Sequence, residues 1–169
     1  MDSQRNDKNL QRATLCFLVN NSECKGISSI CLAMKKRGFG EGKWNGVGGK
    51  IEDNETVEQA LRREANEEIL VQITEYFKVA ELTFNWPEEQ GMNMFVYVYF
   101  AYTWQGEPSE SEEMKPKWYK VSDIPYESMW SDDKYWLPLT LKGELIKAQF
   151  NFREGDRIID KDIEIVKSI

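Results

Sequence analysis

Glu55, Arg63, Glu64, Glu67 and Glu68, following a Val47-Gly48-Gly49 loop, carry the densest chemistry in this chain. Three of the glutamates are related by steps of three and four residues, so on a helix their carboxylates converge one turn above another. Like charges that close call for a countercharge. Hard oxygen ligands select a hard divalent cation, and Mg²⁺ or Mn²⁺ is the natural choice because such ions are held by a few carboxylates together with substrate phosphates. Zinc is disfavoured, since the chain contains no histidine. A glycine loop running into an acidic helix therefore points to a cation held against a diphosphate.

The helix that must present these acids is legible in its own right. Thr56 is followed three residues later by Gln59, the capping-box arrangement that satisfies the first free amides of a helix. From there to Ile69 no Gly or Pro occurs, and Val57, Ala60, Leu61 and Ala65 recur at helical spacing. At roughly 100° per residue, Glu64 and Glu68 fall on the side of Val57, Ala60 and Leu61, whereas Gln59, Arg62, Arg63 and Asn66 face away. A solvated acidic face is the ordinary reading of a glutamate-rich helix, but it puts these two acids on the wrong side. A carboxylate taken out of water costs several kcal/mol unless it is paired or bound to metal.

Length and composition bound the rest. At 169 residues with 41% hydrophobic side chains, the chain is one domain by size, with residues 11–169 forming the domain and 1–10 a polar, flexible start. A net charge of −7 argues against binding duplex nucleic acid, which wants clustered cations. No apolar run approaches the roughly 18 residues of a membrane span, and the start does not resemble a signal peptide. Cys16, Cys24 and Cys31 lack metal-ligand spacing and read as free thiols of a reducing compartment, the cytoplasm by default. The sequons at Asn20 and Asn54 are read as accidental.

Alternating and apolar runs predict strands over residues 13–20 and 27–34, a long hairpin from 72–86 and 92–104 around a turn at 87–91, a strand over 117–121, and a terminal hairpin from 147–153 and 157–167. Both faces of 95–100 are apolar, so that strand is central. A second helix is expected over 131–142, with Pro138 inside it. Gly38 to Gly42 reads as a mobile turn, because it lacks the Lys-Ser/Thr ending and following helix of a nucleotide phosphate loop. The fold class is α/β, one mixed sheet sandwiched between helices.

The stretch Gly49-x5-Glu55-x7-Arg63-Glu64-Ala65-x-Glu67-Glu68-x-Leu70-Val71 resembles the signature of the Nudix hydrolases, with Leu70 standing where that family has glycine. That glycine lies just past the helix end, where a left-handed backbone is cheap only without a Cβ. The resemblance implies the Nudix fold and a metal-assisted attack of water on phosphorus. It implies Gly48 (through its carbonyl), Glu64, Glu67, Glu68 and Glu113 as metal ligands, either Glu67 or Glu113 as general base, and Arg63 and Glu55 as residues that orient the acids. A different Nudix substrate, such as ADP-ribose, a dinucleoside polyphosphate or capped RNA, and a non-catalytic Nudix-fold binding module are the alternatives.

A second resemblance, at residues 34–50, 111–116 and 129–136, is to the branch of that family that hydrolyses oxidised purine nucleoside triphosphates such as 8-oxo-dGTP to the monophosphate and pyrophosphate. It implies a monomeric enzyme that sanitises the nucleotide pool in support of DNA repair. On that resemblance Asn45, Trp130, Asp132 and Asp133 recognise the base, with Lys35, Phe39 and Phe84 lining its pocket. Trp130 offers a flat face for a purine, and Asp132 with Asp133 can share a proton so that one donates while the other accepts. Ser131-Asp132-Asp133 is also a plain helix-capping cluster. Trp44, Trp118 and Trp136 are expected to serve as packing residues. The basic run Lys35-Lys36-Arg37 with Lys43 reads either as a triphosphate clamp or as a charged strand end.

Overall fold

A computed structural model describes residues 10–22, 26–86 and 93–169. The first nine residues, Cys24 and the turn expected at 87–91 lie outside the described residues. The elements run β1 (Gln11–Ser22), β2 (Gly26–Lys35), β3 (Trp44–Asn45), α1 (Val57–Ile69), β4 (Gln72–Asn85), β5 (Met94–Gln105), β6 (Met114–Lys120), α2 (Asp133–Leu141), β7 (Leu145–Arg153) and β8 (Arg157–Val166). All eight strands join one sheet in the order β3-β2-β1-β5-β4-β7-β8, with β6 also pairing β2. β1 runs parallel to β5 and β4 parallel to β7, while the other pairings are antiparallel, so the sheet is mixed.

Alternation along β1 assigns its two faces. Ala13, Phe17 and Val19 pack in one layer with Trp136, Leu137 and Leu141 of α2, whereas Cys16 and Leu18 pack in the other with Leu61, Ala65 and Ile69 of α1. The helices thus cover opposite faces, and β5 between β1 and β4 is apolar on both sides for that reason. Burial also lifts the Cys16 and Cys31 thiols to about 12, which leaves them as inert packing groups. Among the described residues no helix is long and apolar enough to cross a membrane.

Helix α1 begins as its sequence dictates. Thr56 Oγ1 accepts from the Gln59 N–H at 3.2 Å, and Gln59 Oε1 accepts from the Thr56 N–H at 2.8 Å. It ends on Leu70, which takes the left-handed conformation (φ 63°, ψ 33°) expected of the glycine it replaces, with its N–H donating to Asn66 O.

Several boundaries differ from expectation, those of β6 and α2 among them, and the short strand β3 was not expected. The strand expected at 117–121 starts at Met114 and ends at Lys120, because Pro116 is tolerated opposite Ala33 in a strand that pairs only with β2. Val121–Asp123 instead forms a single 3₁₀ turn. The helix expected from Ser131 to Lys142 is confined to Asp133–Leu141.

Leu70 is 52% exposed, so its side chain contributes little packing to offset a left-handed backbone. Non-glycine residues pay about 1–3 kcal/mol there, and the entropy glycine loses on folding returns only part of it. Leu70→Gly is expected to stabilise the protein by about 1 kcal/mol, read as a higher urea midpoint at an unchanged slope.

Candidate active site

The glycine loop is stitched to β1. Cys16 and Val47 exchange backbone hydrogen bonds of 2.7 and 2.9 Å, and the Thr14 N–H donates to Gly49 O at 2.9 Å. Only glycine fits at 48, and a side chain at 49 would displace Glu64. A Cβ on Gly48 would fall on the Thr14 carbonyl, and one on Gly49 would collide with the Glu64 carboxylate. The Gly48 N–H donates to Glu68 Oε2 at 3.0 Å, which joins the loop to α1.

Arg63 organises the remaining acids. Its guanidinium binds both oxygens of Glu55, at 3.0 and 2.6 Å, and reaches Glu64 Oε1 at 2.8 Å, Glu67 Oε2 at 3.3 Å and Lys50 O at 3.2 Å. Hydrogen bonding from Arg63 holds Glu55 down to about 2. Burial acts oppositely on the acids of the core face. Glu68, only 3% exposed, is pushed up to about 8 by desolvation against the opposing Gly48 bond, and Glu64 is raised by the same cause. Glu113 lies just before β6 with Oε1 3.5 Å from Arg37, and its charge is felt by both Glu64 and Glu68.

With Arg63 on Glu64 and Glu67 and Arg37 on Glu113, among the described residues no three acidic side chains gather round one point. The donor set nonetheless fits a hard divalent cation. It offers only carboxylate and carbonyl oxygens, and Glu68 is held out of water at a cost that a nearby cation offsets.

A cavity of about 500 Å³ starts at this loop, lined by Gly46, Gly48 and Gly49, and extends to Trp130, Asp132 and Asp133. Lys35, Phe39, Asn45 and Phe84 line it as well, so it gathers every residue expected to recognise the base. Asn45 Oδ1 accepts from the Gly46 N–H at 2.8 Å. Phe39 lies against Trp130 with centroids 5.0 Å apart and planes at 33°. Of the basic run, Lys36 pairs with Glu110 at 2.8 Å and Arg37 with Glu113, while Lys43 pairs with Asp156 at 3.2 Å. Lys35 makes no ion pair within 4 Å among the described residues, and its charge is felt by Glu68.

Asp132 and Asp133 are 4% and 2% exposed. Asp132 occupies the cap position of α2 but makes no side-chain capping bond there. Its Oδ2 instead accepts from Trp136 Nε1 at 2.8 Å, so the capping use of this cluster is not realised. Desolvation raises Asp132 to about 7 and holds Asp133 well above the usual carboxylate range, with the Asp132 charge adding to the effect. Asp133 Oδ2 is buried with no hydrogen-bond partner among the described residues.

Several wall residues escape sequence reasoning. Thr14, whose buried Oγ1 also lacks a partner, was detectable as the lone hydroxyl in the apolar run from Ala13 to Val19. Trp86, Met94 and Phe152 look like ordinary strand residues, and Trp136 serves both as core and as donor to Asp132.

Residues 9–140 match the family described as NUDIX domain. The chain belongs to the Nudix family. It is 40% identical over 140 residues to the oxidized purine nucleoside triphosphate hydrolase of Danio rerio, covering 83% of this chain and 89% of that one. It is 38% identical over 139 residues to the protein of the same name from Mus musculus, covering 82% and 88%. Among solved structures, the mutator MutT protein of Bacillus halodurans superposes with a TM-score of 0.78 at 22% identity, over 92% of this chain and 98% of that one, a likeness of fold. Nudix hydrolases generally use divalent metal ions.

The aspartate pair has a thermodynamic signature. A carboxyl whose folded pKa is raised lets the folded state bind more protons, so its contribution is complete below the unfolded value and is lost as pH rises through the folded one. For Asp132 that window runs from 3.8 to about 7. Asp132→Asn keeps the acceptor for Trp136 but cannot ionise. Its stability relative to the unmodified protein is expected to improve by about 1–3 kcal/mol between pH 5 and pH 8, measured by urea unfolding at both.

Proposed function

We propose that this Nudix protein is a metal-dependent pyrophosphohydrolase of purine nucleoside triphosphates, with oxidised purines such as 8-oxo-dGTP preferred, and that it releases the monophosphate and pyrophosphate. The observation that carries the reading is the unpartnered, buried Oδ2 of Asp133 beside Asp132 and the Trp130 face in a cavity that begins at the Gly48-Gly49 loop. Two neighbouring carboxyls with raised pKa values can hold one proton between them, so one donates and the other accepts against a purine edge. The names of the zebrafish and mouse relatives support the same substrate class.

In the reaction, water adds to phosphorus of the α–β anhydride and that anhydride bond breaks. Glu64, Glu67, Glu68, Glu113 and the Gly48 carbonyl would hold Mg²⁺, or Mn²⁺, which when bound neutralises phosphate charge and lowers the pKa of the attacking water. Glu67 or Glu113, the two with exposed carboxylates, takes the proton from water. Arg63 and Glu55 fix the orientation of the acids through their bidentate pair. Trp130 and Phe39 stack the base, Asn45 donates to it, Phe84 bounds it, and Lys35 faces the phosphates. The acid pair and the stack recognise the base; the helix and loop act on the anhydride. We place this activity in the cytoplasm, where the buried free thiols of Cys16 and Cys31 suit a reducing medium, and in a monomer, which light scattering would test.

Glu68→Gln removes a ligand with almost no change in volume. It is expected to lower turnover by at least about a thousandfold at saturating Mg²⁺, with thermal unfolding little changed; activity near the unmodified level would remove Glu68 from the metal set. Asp132→Asn and Asp133→Asn should each cost roughly 1–3 kcal/mol in kcat/KM for 8-oxo-dGTP and leave dCTP hydrolysis nearly unaltered. Equal losses on both substrates would make these acids structural. A hydrolysis panel of 8-oxo-dGTP, 2-hydroxy-dATP, dGTP, ADP-ribose and diadenosine polyphosphates decides the substrate class, and a preference for either of the last two would overturn it.

A further inference from the structure

A stacking platform selects among bases only if its height and tilt are fixed. Trp130 sits in the irregular segment ahead of α2 rather than on a regular element, and its ring is half-buried. Its neighbours on the ring side are Phe39 and Gly40, where a Cβ would come within 3.0 Å of Trp130 Cζ2, and Lys43, whose Nζ lies 5.0 Å from the ring centroid. These contacts press on the ring without anchoring its backbone.

The Trp130 carbonyl is held locally, accepting from the Asp133 N–H at 3.1 Å, and a second anchor comes from the far end of the chain. Asp156, at the tip of the β7–β8 hairpin, accepts from the Ser131 N–H through both oxygens at 3.1 Å, from Ser131 Oγ at 2.7 Å and from Lys43 Nζ at 3.2 Å. One carboxylate therefore grips the residue next to Trp130 and the cation that lies over its ring. The hairpin tip is tied down a second time, since Trp86 Nε1 donates to Gly155 O at 3.0 Å. Trp86 in turn stacks on Phe152 at 4.6 Å and 11°, and both rings line the cavity. Asp156 itself does not line the cavity, and its side chain is 24% exposed.

We propose that Asp156 is a positioning residue for base selection: by clamping Ser131 and Lys43 it fixes the Trp130 platform against the Trp86–Phe152 wall. This rests on the purine triphosphate reading above. Loss of the clamp frees Trp130 to tilt, which weakens stacking in ground and transition states alike, so the effect falls on KM rather than kcat. The acids on α1 are untouched by it.

The test compares the unmodified protein with Asp156→Ala and Asp156→Asn. The second is isosteric and keeps an acceptor for Ser131 while losing the charge that holds Lys43, so it serves if the first fails to fold. Steady-state constants are measured for 8-oxo-dGTP and dCTP. Tryptophan-labelled protein (5-fluorotryptophan) is followed by ¹⁹F NMR without substrate, with the Trp130 signal assigned from Trp130→Phe. Asp156→Ala is expected to raise KM for 8-oxo-dGTP about tenfold or more, the range that base stacking commands, with kcat within twofold, a smaller preference over dCTP and a displaced or broadened Trp130 signal. Asp156→Asn should shift each readout in the same direction by less. An unchanged KM and Trp130 signal would overturn the proposal, as would equal losses of kcat on both substrates. If the purine reading itself fails, the unmodified protein shows no preference for 8-oxo-dGTP, and the Trp130 signal still decides whether Asp156 holds the platform.

Discussion

The hydrogen bond from the Gly48 N–H to the buried Glu68 carboxylate is the contact on which the site depends. It closes a three-part stack of β1, glycine loop and α1 that leaves no room for a side chain at position 48 and sets the Glu64 carboxylate against position 49. The glycine loop lies against β1 through backbone hydrogen bonds, and the helix is joined to the loop by the desolvated Glu68 and by Arg63, which donates to Lys50 O. Because that acid is costly to keep out of water, the stack holds an unfavourable electrostatic arrangement that apolar packing on the same buried face of α1 must sustain. Leu61, Ala65 and Ile69 supply that packing, and Arg63 ties Glu64 and Glu67 down.

Charge is handled differently at the two ends of the cavity. At the loop end, four of the acids share two arginines, and only Glu68 lies almost fully out of water. At the Trp130 end, two aspartates are both buried with no ion pair to either among the described residues, so protonation rather than pairing relieves them. One end is thus suited to a cation and the other to a neutral hydrogen-bonding edge.

How much of this was legible in the sequence follows from the range of each signal. The capping box and apolar periodicity of α1 are local, so its start and its buried face could be read directly, whereas a leucine at position 70 carries no signal for the left-handed end that the helix takes there. The central place of β5 was readable from apolar residues on both faces. The ends of β6 and α2 were not: an edge proline is tolerated only through its pairing with β2, and Asp132 takes Trp136 one turn on in α2 instead of capping the helix, a choice the residue types alone do not make. The residues proposed to recognise the base came from resemblance, and their convergence on one cavity needed the sheet. Asp156 carries no local signal at all: Glu154-Gly155-Asp156 reads as any hairpin tip, and its grip on Ser131 spans 25 residues.

The cavity is assembled from β1, the glycine loop, β4, β5, the segment before α2 and β7, which together reach from Gln11 to Phe152. No contiguous piece of the chain contains more than a fraction of its wall. A partly folded chain therefore has nothing for a nucleotide to occupy, and occupancy is linked to the cooperative unfolding of the whole sheet rather than to any local opening. In a cell, the level of a tight ligand would then set how long the folded protein survives proteolysis, coupling abundance of the protein to the abundance of what it binds.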